Sequence, residues 1–226
     1  MHPTGRGGRA VGLAISALVG FAALPAVAQT QPAGTADEWV NKLGGLETAP
    51  DLDVAALRQQ AMERIKARAD SAPIKRPPLA PQLLKLPQVV ADIQFDEDAA
   101  VIRPNSYRTL GRIADTLTHP SLLKYKFLIV GNTLSSGRRE NNLALSQRRA
   151  DVVREVLINT FKVSPKRLLA IGLGEEQLLD SARPNTPANQ QVQVVTIGEI
   201  DPGAIASRPS PPATAPRPPA TSRHRR

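Results

Sequence analysis

No cysteine occurs in the 226 residues, so thiol nucleophiles, thiolate metal sites and disulfides are all excluded. Histidine is nearly as scarce. His2, His119 and His224 lie near the start, beside a proline and in the last residues. They are too scattered for a Ser-His-Asp triad or an H-E-x-x-H zinc helix. Aromatic residues make up 3% of the chain, which leaves few faces for bases to stack on. The net charge of +9 therefore points to anionic polymers such as cell-wall material, or to lipid head groups, rather than to nucleic acid. Ser135 and Ser136 have no base nearby in sequence, and Asp96, Glu97 and Asp98 are adjacent rather than opposed as in a glycosidase. The chain is expected to be no enzyme and to need no cofactor or metal.

One apolar run stands out, Ala10 to Leu24, and it is shorter than the ~20 residues of a spanning helix. Arg6 and Arg9 precede it, and Ala26-Val27-Ala28 follows as an A-x-A cleavage site before Gln29. Residues 1–28 thus read as a secretory signal peptide, with no transmembrane span left after cleavage and no cysteine for a lipid anchor. Residues 29–71 hold the lone Trp39 and a thin amphipathic stripe of Val54, Leu57, Ala61 and Ile65, read as a partner-facing or marginal helix. Residues 72–87 carry five prolines and read as a spacer, with a loop draped over the domain as the alternative for its second half, and residues 88–200 form the folded domain. Residues 201–226, rich in proline and with five arginines against one aspartate, lack the apolar content to fold and read as a disordered tail.

Inside the domain, strand and helix signals alternate. Val89, Ala91, Ile93 and Phe95 alternate with Val90, Asp92 and Gln94, predicting a half-buried strand. Tyr107, Leu110, Ile113, Ala114 and Leu117 predict an amphipathic helix behind Pro104. Tyr125 to Val130 predicts a buried strand, followed by the turn Gly131-Asn132-Thr133-Leu134-Ser135-Ser136-Gly137. A helix from Asn142 to Asn159 comes next, with Asn142 as its cap and Leu145, Val152, Val153 and Val156 on one face. Arg149 interrupts that face, four residues after Leu145 and four before Val153. A guanidinium there must snorkel, pair with a carboxylate, or meet a ligand. Leu168 to Leu173 and Val192 to Ile197 predict two further strands. The Gly172-x-Gly174 pair lacks the third glycine and following helix of a phosphate loop. The acidic trio at 96–98 lacks the alternating ligands of a calcium loop and reads as a solvated turn.

The strand–turn–helix resembles the motif of the OmpA-like peptidoglycan-binding domain. That family shows Gly-His-Thr-Asp-x-x-Gly and then Asn-x-x-Leu-Ser-x-x-Arg-Ala-x-x-Val. Gly131, Thr133, Gly137, Asn142, Leu145, Ser146, Arg149, Ala150 and Val153 match it at the same spacings. The resemblance implies an α/β fold, an α+β two-layer sandwich of order βαβαββ with helices on one face of a mixed sheet. It also implies a periplasmic, outer-membrane-associated protein that grips the diaminopimelate of a peptidoglycan stem peptide. Arg149 would fork onto the carboxylate, with Asn142, Thr133, Asn132 and Leu134 beside it, and envelope proteins form a further class of partner. The departures fall at the chemistry. Asn132 replaces the family's His, Leu134 replaces the Asp that takes the ammonium, and Gln190-Gln191 replaces Arg-Arg. Loss of one such ion pair would weaken binding roughly ten- to hundredfold. The alternative is a degenerate domain that has lost peptidoglycan binding and serves as a protein–protein scaffold.

Overall fold

The computed structural model describes residues 35–48, 50, 52–67 and 76–200. The expected signal peptide, the first part of the spacer and the tail lie outside the described residues. Eight elements follow in order: α1 (Ala36–Leu43), α2 (Val54–Lys66), β1 (Gln88–Ala91), α3 (Tyr107–Leu117), β2 (Tyr125–Asn132), α4 (Arg139–Asn159), β3 (Leu168–Gly174) and β4 (Val192–Glu199). From β1 onward this is the βαβαββ order. The sheet runs β1-β4-β2-β3, with β4 antiparallel to both its neighbours and β2 parallel to β3 through the α4 crossover. The mixed α/β sheet is the one expected, but the helices do not all lie on one face, since α2 packs on the side opposite α1, α3 and α4.

Strand alternation divides the core into two. Phe127, Ile129, Leu168, Ala170, Val192 and Val194 belong to the cluster built with α1, α3 and α4. Their alternates Leu128, Val130, Ile171, Leu173 and Val195 belong to a second cluster. That second cluster is covered by α2, through Leu57 and Ala61, and by Leu83 in the short 3-10 helix Pro81–Lys85. The partner-facing reading of α2 therefore gives way. Its narrow stripe docks on the domain because an apolar sheet face needs cover, and a buried Leu or Ile contributes about 1.5–3 kcal/mol. Residues 76–87 are likewise draped on the domain, with Leu79, Ala80 and Leu83 buried, so the alternative for the second half of the linker holds and the spacer reading does not.

Two glycines set how closely α4 lies on the sheet. A Cβ on Gly131 would fall on the carbonyl oxygen of Ser146, and one on Gly172 on the backbone nitrogen of Gln147. Only glycine allows β2 and β3 to approach the helix backbone at this point. The first turns of α4 are thereby held over the C-terminal ends of both strands.

Candidate functional site

Three loops meet at those strand ends and enclose a cleft of ≈ 610 Å³. The loop after β1 supplies one wall, the β2–α4 turn another, and the β3–β4 loop the third. The last is shaped by Asn189, fully buried, whose amide donates to the carbonyls of Asp180, Arg183 and Pro184 and accepts from the Asp180 N–H. This places Pro187, Gln190 and Gln191 along the cleft.

Arg149 is only 5% exposed and lines the cleft. Its Nε donates to the carbonyl of Ala99 at 2.9 Å, a terminal nitrogen donates to that of Asp96 at 3.3 Å, and the guanidinium lies 4.9 Å from the Phe95 ring centre. The acidic turn is thus stapled by backbone carbonyls, not by its carboxylates. Two bonds of five possible donors leave the remaining N–H groups available. Burial pushes the guanidinium below its ordinary pKa, and the charge of Asp98 works in the opposite sense. Arg148, one position round, is exposed as its spacing predicts.

The other expected residues divide. Thr133, Leu134, Asn142 and Arg149 come together in the cleft. Thr133 is 3% exposed, with its N–H bonded to Gly174 and its hydroxyl oxygen without a partner. Asn132 does not line the cleft. It is 1% exposed with both side-chain polar atoms unpartnered, which places it outside the expected set. Asn142 is not the helix cap either. The helix begins three residues earlier, after Arg138, which contributes no side-chain cap bond. The Asn142 amide instead donates to the carbonyl of Ser136 at 2.8 Å and to Glu175 at 2.7 Å, tying helix, turn and strand end together.

Sequence reasoning missed the group behind that contact. Glu175 and Glu176, at the end of β3, are nearly fully buried. Arg76 reaches both at 2.6 and 2.9 Å, and Arg139 reaches Glu176 at 2.7 Å. Gln177 exchanges two hydrogen bonds with the backbone of Ala80 beside them. The adjacent glutamates after a glycine were visible in the sequence, but their partner Arg76 lies about a hundred residues away.

With this geometry in hand, comparison with known proteins decides the family. The model for the OmpA family matches residues 94–193. The chain belongs to the OmpA family. It is 38% identical over 90 residues to outer membrane porin F of Pseudomonas fluorescens, covering 40% of this chain and 27% of that protein. It is 33% identical over 105 residues to the peptidoglycan-associated lipoprotein of Brucella melitensis, covering 46% of this chain and 61% of that protein. The crystal structure of the peptidoglycan-associated lipoprotein from Burkholderia pseudomallei shares 31% identity, over 46% of this chain and 87% of that one, with a TM-score of 0.38. The chain thus spans less than two thirds of the curated relatives it matches. These OmpA-family relatives are named as envelope proteins, not as enzymes. Among the described residues no helix is long and apolar enough to cross a membrane.

Proposed function

We propose that this chain is an exported, non-catalytic protein of the cell envelope whose OmpA-family domain holds peptidoglycan in the cleft above Arg149. The periplasmic face of the outer membrane is its place of work, reached by the signal peptide at residues 1–28. The observation that carries this reading is a deeply buried guanidinium on an open cleft with no carboxylate in ion-pair range among the described residues. A buried cation with donors to spare suits the carboxylate of a peptide stem, and a guanidinium can grip it with two parallel bonds. The names of the Brucella and Burkholderia relatives support the same ligand. Sedimentation with purified sacculi tests it. Wild type is retained, and Arg149→Ala falls into the supernatant; equal retention of the two contradicts this mechanism.

A second reading is a domain that no longer binds the wall and scaffolds envelope proteins. Leu134, Gln190 and Gln191 favour it, because no charged group lines that side of the cleft. Its distinguishing result is no retention of wild type, with retention appearing in Leu134→Asp.

A further inference from the structure

Arg76 belongs to the stretch of chain before β1, yet its partners lie 99 and 100 residues further on. Its two terminal nitrogens fork onto two adjacent buried carboxylates, Glu175 at 2.6 Å and Glu176 at 2.9 Å. The Arg76 side chain is itself only 7% exposed. The segment that carries it is held at several further points. The Leu79 N–H donates to the Glu176 carbonyl at 3.1 Å, Gln177 exchanges bonds with Ala80, and Leu83 is buried in the second cluster. Arg64 of α2 joins it by donating to the Pro77 carbonyl at 2.8 Å. Residues 76–83 and α2 therefore cover the second sheet face as one docked strap.

The two glutamates pass this docking on to the cleft. Glu176 holds Arg139, at the start of α4, at 2.7 Å. Glu175 turns its other oxygen to the Asn142 amide at 2.7 Å, and the same amide nitrogen donates to the Ser136 carbonyl at 2.8 Å. Ser136 and Asn142 both line the cleft. Three hydrogen bonds in series thus join Arg76 to the β2–α4 turn. Glu175 is 6% exposed, and Arg139 stands farther from it than Arg76 does, at 4.0 Å. A carboxylate buried to this degree does not keep its place without a counter-charge. Once Arg76 leaves, Glu175 must turn towards water, and the anchor of Asn142 goes with it.

We infer that Arg76 is a positioning residue for the cleft, and that docking of the N-terminal strap sets how firmly the cleft holds its ligand. The inference takes its ligand from the peptidoglycan reading above and its geometry from the bonds just described. Coupling of this kind is reciprocal. A ligand that needs the ordered turn tightens the docking of residues 76–83, and a pull that lifts the strap loosens the grip.

Retention on purified sacculi, titrated for wild type, Arg76→Ala, Glu175→Ala and the double variant, tests the coupling. Each single variant is expected to weaken retention about five- to twentyfold. The double variant should lose no more than the worse single, because both residues act through one series of contacts. Arg76→Lys keeps the charge but lacks the fork that spans both glutamates, so it recovers part of the loss. Arg167→Ala is the control for lost stability: it lowers the melting temperature without moving retention. A ligand-free readout accompanies these. The Asn142 side-chain amide signals and the Gly137 backbone amide, which shares a peptide unit with the Ser136 carbonyl, shift in Arg76→Ala and not in Arg167→Ala. Strictly additive losses in the double variant, or Asn142 signals that ignore Arg76→Ala, overturn the coupling while leaving the peptidoglycan reading intact. If sacculi do not retain wild type, that reading falls and the Asn142 signals alone decide the coupling. Should Arg76→Ala fail to fold, Arg76→Lys takes its place in both measurements, with the same signals expected to move.

Discussion

Two buried arginines sit in nearly the same chemistry, and only one of them is at the cleft. Arg149 and Arg167 are each 5% exposed, and each donates to two backbone carbonyls and lies over a phenylalanine. Arg167 holds Tyr125 and Leu122 at 3.0 and 2.6 Å, in the core beside the start of β2. Arg149 holds the acidic turn and borders open space. Burial lowers the pKa of both, but only at Arg149 does an acid, Asp98, pull the other way. A guanidinium inside an apolar stripe is therefore no site in itself. What distinguishes Arg149 is the cleft beside it and the carboxylates across that cleft.

The comparison can be broken from its structural side first. The carboxylates at the end of β3 are the extreme case of charge used for architecture, since Glu176 is sealed between Arg76 and Arg139. Glu176→Ala leaves Arg76 and Arg139 to share the single carboxylate of Glu175 and is expected to cost about 3–5 kcal/mol in urea unfolding. Arg167→Ala strands two buried carbonyls and is expected to cost about 2–4 kcal/mol, with sacculus binding unchanged once the protein is folded. Leu57→Ala, which uncovers the second sheet face, is expected to cost about 2–3 kcal/mol by the same measurement. Arg149→Ala should cost less, about 1–2 kcal/mol, because its carbonyls border the cleft and regain water. It should nevertheless lose roughly ten- to hundredfold in sacculus affinity. The smallest effect belongs to the exposed pair Arg103–Asp96, where Asp96→Asn should move stability by no more than about 1 kcal/mol. If Arg149→Ala and Arg167→Ala shift stability and retention alike, the distinction between them dissolves.

Much of the domain could be read beforehand, and the failures share a cause. The alternation from Val89 to Ile93 and the period of α3 report local burial, so they survived folding intact. The break in the α4 stripe at Arg149 was legible for the same reason. Asn142 was misread because asparagine favours caps, while its amide here serves Glu175, 33 residues further on. The docking of α2 was missed although Phe127 to Val130 is apolar on both faces, which signals a strand covered on both sides. Its thin stripe gave no sign of which surface would receive it. Asn132 followed its motif neighbours in sequence but not in space, since successive strand residues point to opposite faces.

The central claim is that an anionic group of peptidoglycan seats itself on the cleft face of Arg149. An NMR titration with the diaminopimelate stem tripeptide, following the Arg149 Nε–H signal and the backbone amides, addresses it directly. The account predicts saturable shifts at Arg149, Thr133 and Asp98, with Arg167 undisturbed. Shifts confined to some other surface, or none at Arg149 while sacculi are still retained, would contradict it.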